Sequence, residues 1–125
     1  MKRDKEEGFS LQARLKSANH AWRGLRILFR TTHNLWGHVF FAVLAVYTGI
    51  VLRISATEWL FIIFAIALVI ITECLNSAFE IDIDLTSPEE HPYARDTKDI
   101  AAAAVLLSVL FAILVGAIIF LPKII

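Results

Sequence analysis

From Ser10 to Asn34 the apolar residues Leu11, Leu15, Ala18, Trp22, Leu25 and Phe29 recur at alternating steps of four and three. That spacing is one face of a helix, and Arg14, Lys16, Arg23, Arg26 and Arg30 fall mainly off it. The pattern predicts an amphipathic helix lying in a membrane interface, or packed on its own bundle or on a neighbouring subunit. Three long apolar runs follow, and a membrane span needs roughly 17 to 25 mainly apolar residues. The first, Trp36 to Leu52, contains only His38 as a basic or acidic residue. The second begins at Trp59, is free of charge to Thr72 and continues through Glu73, Asn76 and Glu80. The third runs from Ile100 to Pro122 without charge, with Pro122 and Lys123 as its stop. Leu85 to Thr97, with Pro88, Glu89, Glu90, His91 and Pro92, reads as a polar loop.

Composition sharpens this picture. The chain has 125 residues, 58% of them hydrophobic and 19% charged, with a formal net charge of zero. A soluble domain carries about 25% charged residues, so this chain has too much apolar surface for one small aqueous core. The expected fold is all-α, an integral membrane three-helix bundle formed by residues 1–125 as one domain. Residues 1–34 make a cytoplasmic tail and the amphipathic surface helix, and residues 35–125 the three spans. Charge balance disfavours a nucleic-acid partner, and the single Cys74, set in an apolar run, reads as a small core residue rather than part of a disulfide framework.

Basic residues set the expected orientation, because cytoplasmic flanks hold the excess of Lys and Arg. Lys2, Arg3, Lys5, Arg14, Lys16, Arg23, Arg26 and Arg30 precede the first run, and Arg95 and Lys98 follow the second. Only Arg53 and Lys123 fall on the other side. The N-terminus and the second loop are therefore expected in the cytoplasm, with the first span as an uncleaved anchor.

Candidate chemistry collects at the end of the second span. At 100° per residue, Glu73, Glu80 and Asp84 fall within about 40° of one another and Asn76 within about 60° of Glu73. An ionisable side chain inside a span costs at least ~2.5 kcal/mol and is a functional candidate by default. Glu73 lies about 21 Å along the helix from Trp59, just inside the cytoplasmic face of the hydrocarbon, where a lipid hydroxyl would be found. A carboxylate there suits a group that accepts a proton. The competing reading is that Glu73 and Asn76 only hydrogen-bond helices together. The five glycines allow neither a P-loop nor a Gly-rich kinase loop. Phosphate charge would fall to Lys98, Arg95 and the basic N-terminal helix, and Mg²⁺ to Glu80 and Asp84. Lys98 and Asp99 could equally mark the start of the third helix. His20, His33, His38 and His91 show no ligand spacing with cysteine and read as interfacial polar groups.

The run Glu73-x-x-Asn76-Ser77-Ala78-x-Glu80-x-x-x-Asp84, then Lys98-Asp99 and an Ala-rich third span, resembles the small prokaryotic diacylglycerol kinases and their undecaprenol kinase relatives. Trp22-Arg23-Gly24-Leu25-Arg26 resembles the surface-helix segment of that family, so the likeness covers nearly the whole chain. It implies a homotrimer in the bacterial cytoplasmic (inner) membrane that moves the γ-phosphate of MgATP onto the hydroxyl of a membrane lipid. By the same resemblance Glu73 matches the general base and Asn76 the residue that orients it or the lipid hydroxyl. Glu80 matches a metal-binding carboxylate, and Lys98 and Asp99 match nucleotide-site residues. Many relatives carry Glu-x-Asn-x-Arg-x-His before the first span, its Glu a second metal ligand, where this chain has Thr32-x-Asn34-x-Trp36-x-His38. Loss of that carboxylate is expected to weaken Mg²⁺ binding or shift the load to Glu80, water and ATP phosphates. His91-Pro92-Tyr93-Ala94, Lys98-Asp99-Ile100-Ala101-Ala102 and Phe120-Leu121-Pro122-Lys123 look more like the undecaprenol kinase branch. The reading of a different class is a non-catalytic membrane protein whose polar stripe fixes helix packing.

Overall fold

The computed structural model describes Gly8 and residues 10–125. Among them every regular element is a helix: α1 (Leu11–Thr31), α2 (His33–Val51), α3 (Ala56–Thr86) and α4 (Pro92–Ile124). Lys2, Arg3 and Lys5, part of the basic N-terminal count, lie outside the described residues. Helices α2, α3 and α4 are each long and apolar enough to cross a membrane.

Local chemistry explains each boundary. Ser10 caps α1 by accepting the N–H of Ala13, and the helix breaks at a single residue, Thr32, whose backbone is extended. The chain re-enters helix at His33, with Leu28 and Leu35 buried on either side of the break. At the other end of α2 the N–H of Ile54 reaches the carbonyl of Gly49 and that of Arg53 the carbonyl of Ile50. These two bonds form a Schellman motif, which places Arg53 at φ 51°, in the left-handed region. Ser55 and Glu58 then open α3 with a reciprocal capping box. At 31 residues, α3 is about 46 Å long, more than a hydrocarbon core of about 30 Å requires. One end of it therefore projects.

The loop expected from Leu85 to Thr97 shrinks to Ser87–His91. His91 caps α4 by accepting the N–H of Tyr93 at Nδ1, and Pro92 occupies the first turn, where its missing N–H and fixed φ favour a helix start. Lys98 and Asp99 consequently sit beyond the first turn of α4, so they do not mark its start. Pro122 does not stop the third span either. It lies inside the last turn of α4, where one lost backbone bond is tolerated, and the helix runs to Ile124.

Helices α3 and α4 form an antiparallel pair held in one register by three polar contacts. Lys123 meets Glu58 at 3.4 Å at one end, the hydroxyls of Thr72 and Ser108 meet at 2.9 Å in the middle, and Lys98 meets Asp84 at the other end. Between them Ile62, Ala65, Val115 and Ile119 form a small core that includes Ile54 and is flanked by Trp59, Phe111 and Phe120. Helix α2 packs on α3 through Gly49, where an added Cβ would lie 2.8 Å from Cη2 of Trp59. Large apolar side chains such as Phe40, Phe61, Leu107 and Ile118 point outward. Such a surface needs hydrocarbon or another protein around it.

Candidate functional site

The antiparallel turn between α2 and α3 fixes which polar residues meet across these helices. Farther from the turn than Gly49 and Trp59, His38 faces Glu73, with Nε2 3.5 Å from Oε2. Glu73 is 3% exposed, and its neighbours in sequence are Thr72, turned to Ser108, and Cys74. Farther along, Thr32 at the α1–α2 break meets Ser77 hydroxyl to hydroxyl at 3.0 Å. Position 32 therefore reaches α3 between Glu73 and Glu80.

The polar stripe foreseen on α3 does not form a single cluster. Asn76 turns toward α4 and lines a crevice of about 280 Å³ with Thr72, Phe79, Thr97 and Ala101. Its side-chain oxygen is buried without a hydrogen-bond partner. Glu80 and Asp84 are exposed near the projecting end of α3. There Lys98 donates to Oδ1 of Asp84.

Asp84, Arg95 and Lys98 line a cleft of about 480 Å³ between the last turn of α3, the short loop and the first turns of α4. Glu89, Glu90 and His91 complete its polar wall. The structure thus brings two of the three expected nucleotide residues to one cleft, while Asp99 is exposed and not part of its lining. Sequence reasoning placed His38 among interfacial polar groups and gave Ser77 no role. A partner on another helix leaves no periodic signal along the chain, so only the packing reveals either contact.

Among the described residues no three His, Cys, Asp or Glu side chains converge on a common metal position. Mg²⁺ does not need such a cage, because it is commonly held by one or two carboxylates together with water and substrate phosphates. Exposed Glu80, one helical turn from Asp84, fits that lighter donor set.

Comparison with known proteins identifies the family of the chain. The family described as prokaryotic diacylglycerol kinase matches residues 19–120. An undecaprenol kinase from Bacillus subtilis (strain 168) is 36% identical over 86% of this chain and 88% of its own length. A diacylglycerol kinase from Synechocystis sp. is 36% identical over 86% of this chain and 62% of its own length. The diacylglycerol kinase of Escherichia coli (strain K12) is 31% identical over 80% of this chain and 82% of its own. With a family match across most of its length, and α2, α3 and α4 within it up to Phe120, this chain belongs to the prokaryotic diacylglycerol kinase family.

Proposed function

We propose that the protein is a membrane lipid kinase that transfers the γ-phosphate of ATP to a lipid hydroxyl at the cytoplasmic interface. The observation that carries this reading is Glu73, a carboxylate enclosed within an otherwise apolar span and paired with a histidine. The N-terminus faces the cytoplasm in this reading. The basic residues of α1, Arg95 and Lys98 then share one side, and Arg53 and Lys123 lie on the other. α1 rests in the interface, with Leu11, Leu15 and Trp22, all exposed in the single chain, toward lipid.

Glu73 acts as general base. It accepts the proton of the lipid hydroxyl as that oxygen bonds to the γ-phosphorus and the bond to the β–γ bridging oxygen breaks, releasing ADP. Asn76, with its oxygen unpartnered, orients the base or the acceptor. Lys98 and Arg95 hold phosphate charge in their cleft, and Asp99, exposed next to Lys98 in sequence, contacts the nucleotide away from its phosphates. Glu80 would hold Mg²⁺, with Asp84 as a second carboxylate when Lys98 turns to phosphate. Bound Mg²⁺ supplies charge neutralisation at the phosphates.

The acceptor is a membrane lipid alcohol, undecaprenol ahead of diacylglycerol. The tract from His91 to Ala94 favours that order. The working form is a homotrimer. Glu80, Arg95 and Asp99 stay exposed in one chain, where a neighbouring copy can complete their surroundings.

The test is Mg²⁺-dependent transfer of labelled phosphate from ATP to undecaprenol and to diacylglycerol in mixed micelles, with Glu73→Gln alongside. Loss of the base is expected to lower the rate by about 10²-fold or more. Full transfer by Glu73→Gln would reduce Glu73 to a packing residue and overturn the mechanism.

A further inference from the structure

Among the described residues the one basic side chain within 4 Å of the Glu73 carboxylate is His38, which lies on a different helix. A buried carboxylate without a partner is costly, so whatever faces it fixes its direction. The nearby surfaces offer nothing else of that kind. α4 carries no acidic or basic residue between Asp99 and Lys123, and on α3 none lies between Glu58 and Glu73. The hydroxyl of Thr72, next to Glu73, is engaged with Ser108.

His38 also borders an apolar groove of about 300 Å³ between α2 and the α3–α4 pair, lined in part by Phe41, Ala45, Ile66 and Val69. The imidazole therefore stands between a hydrocarbon-like space and the carboxylate. Its Nε2 lies 3.5 Å from Oε2 of Glu73.

We propose that His38 is a positioning residue for the reaction: its Nε2–H holds Oε2 of Glu73, fixes the carboxylate and leaves Oε1 to accept the proton of the lipid hydroxyl. This inference rests on the reading of Glu73 as the base. A His that orients a carboxylate through one nitrogen inverts the familiar order in which a carboxylate orients a catalytic His, but the physical requirement is the same. The proton acceptor must be held in line before the acceptor lipid arrives, and small misplacement there is costly in rate.

Two measurements on the full chain in micelles test it. In the first, phosphoryl transfer is followed in His38→Ala, His38→Leu and His38→Gln. A lost positioning contact is expected to lower kcat on the order of 10²-fold in the Ala and Leu variants, with KM for MgATP little changed. Gln offers an N–H donor to the same oxygen and is expected to recover about tenfold of that loss. In the second, the ¹⁵N resonance of the His38 ring is compared between the parent chain and Glu73→Gln, a readout that needs no activity. The Nε2 resonance is expected to move. An unmoved resonance, or His38→Leu working at the parent rate, would overturn the proposal. A moved resonance with Glu73→Gln still fully active would instead overturn the base reading, and the role of His38 with it.

Discussion

The hydroxyl of Thr32 lies 3.0 Å from that of Ser77, which ties the break between α1 and α2 to the helix that carries Glu73 and Glu80. Position 32 is thereby held against the site. A carboxylate placed there would face the same stretch of α3.

Thr32→Glu is accordingly expected to raise Mg²⁺ affinity. An added carboxylate would offer the metal a charged donor that Thr32 lacks, so the midpoint of a Mg²⁺ titration of phosphoryl transfer is expected to fall roughly tenfold. An unchanged midpoint would mean that residue 32 lies outside the metal's reach.

Lys98 and Asp84 make a second prediction, because the lysine holds the aspartate in the resting chain. Lys98→Ala would remove the proposed phosphate partner, whereas Asp84→Asn would release Lys98 from its carboxylate. KM for MgATP is expected to rise about tenfold in the first variant, whereas the second, which loses the proposed second Mg²⁺ carboxylate, is expected to shift the midpoint of a Mg²⁺ titration instead. Steady-state kinetics at saturating lipid decide it, and equal effects in both variants would count against separate roles.

Gly49 lets α2 pack directly against Trp59 of α3. Its missing Cβ leaves room for Trp59, which an alanine methyl would meet at 2.8 Å. Gly49→Ala is expected to destabilise the fold by about 1–3 kcal/mol, the usual cost of overpacking. Combining it with Trp59→Leu is expected to return part of that loss. Thermal unfolding in detergent micelles measures both, and a neutral single variant would show that the turn opens freely.

Arg53 occupies a left-handed backbone conformation at φ 51° in the Schellman turn. A side chain with a Cβ pays roughly 1–2 kcal/mol there, which glycine avoids. Arg53→Gly is expected to raise the unfolding temperature in the same assay. Unchanged or lower stability would show that the Arg53 side chain contributes as much as its backbone conformation costs.

Much of the fold is legible along the chain because membrane spans are specified by local composition. Residues from Trp36 to Leu52 and from Ile100 onward are apolar over the length a bilayer requires, and no tertiary context is needed to read that. Ser10, with apolar residues at helical spacing after it, likewise announces α1. The loop between α3 and α4 was harder to read. Pro88, Glu89, Glu90, His91 and Pro92 look like loop residues together, yet Pro92 is also a favoured first helical residue once His91 caps it.

The site divides in the same way. Helical phase alone singled out Glu73, Asn76, Glu80 and Asp84, because a polar stripe on an apolar span is a property of one helix. Which helix each of them meets is a property of three. The register set by the α2–α3 turn gave Glu73 to His38 and Ser77 to Thr32, and the α3–α4 register gave Asp84 to Lys98. By itself the sequence determined the spans, the expected sidedness and the residues able to carry chemistry, since these depend on near neighbours and transfer energies. Only the tertiary structure decided the pairs, because contacts between residues tens of positions apart depend on how turns and close-packed small residues set one helix against the next.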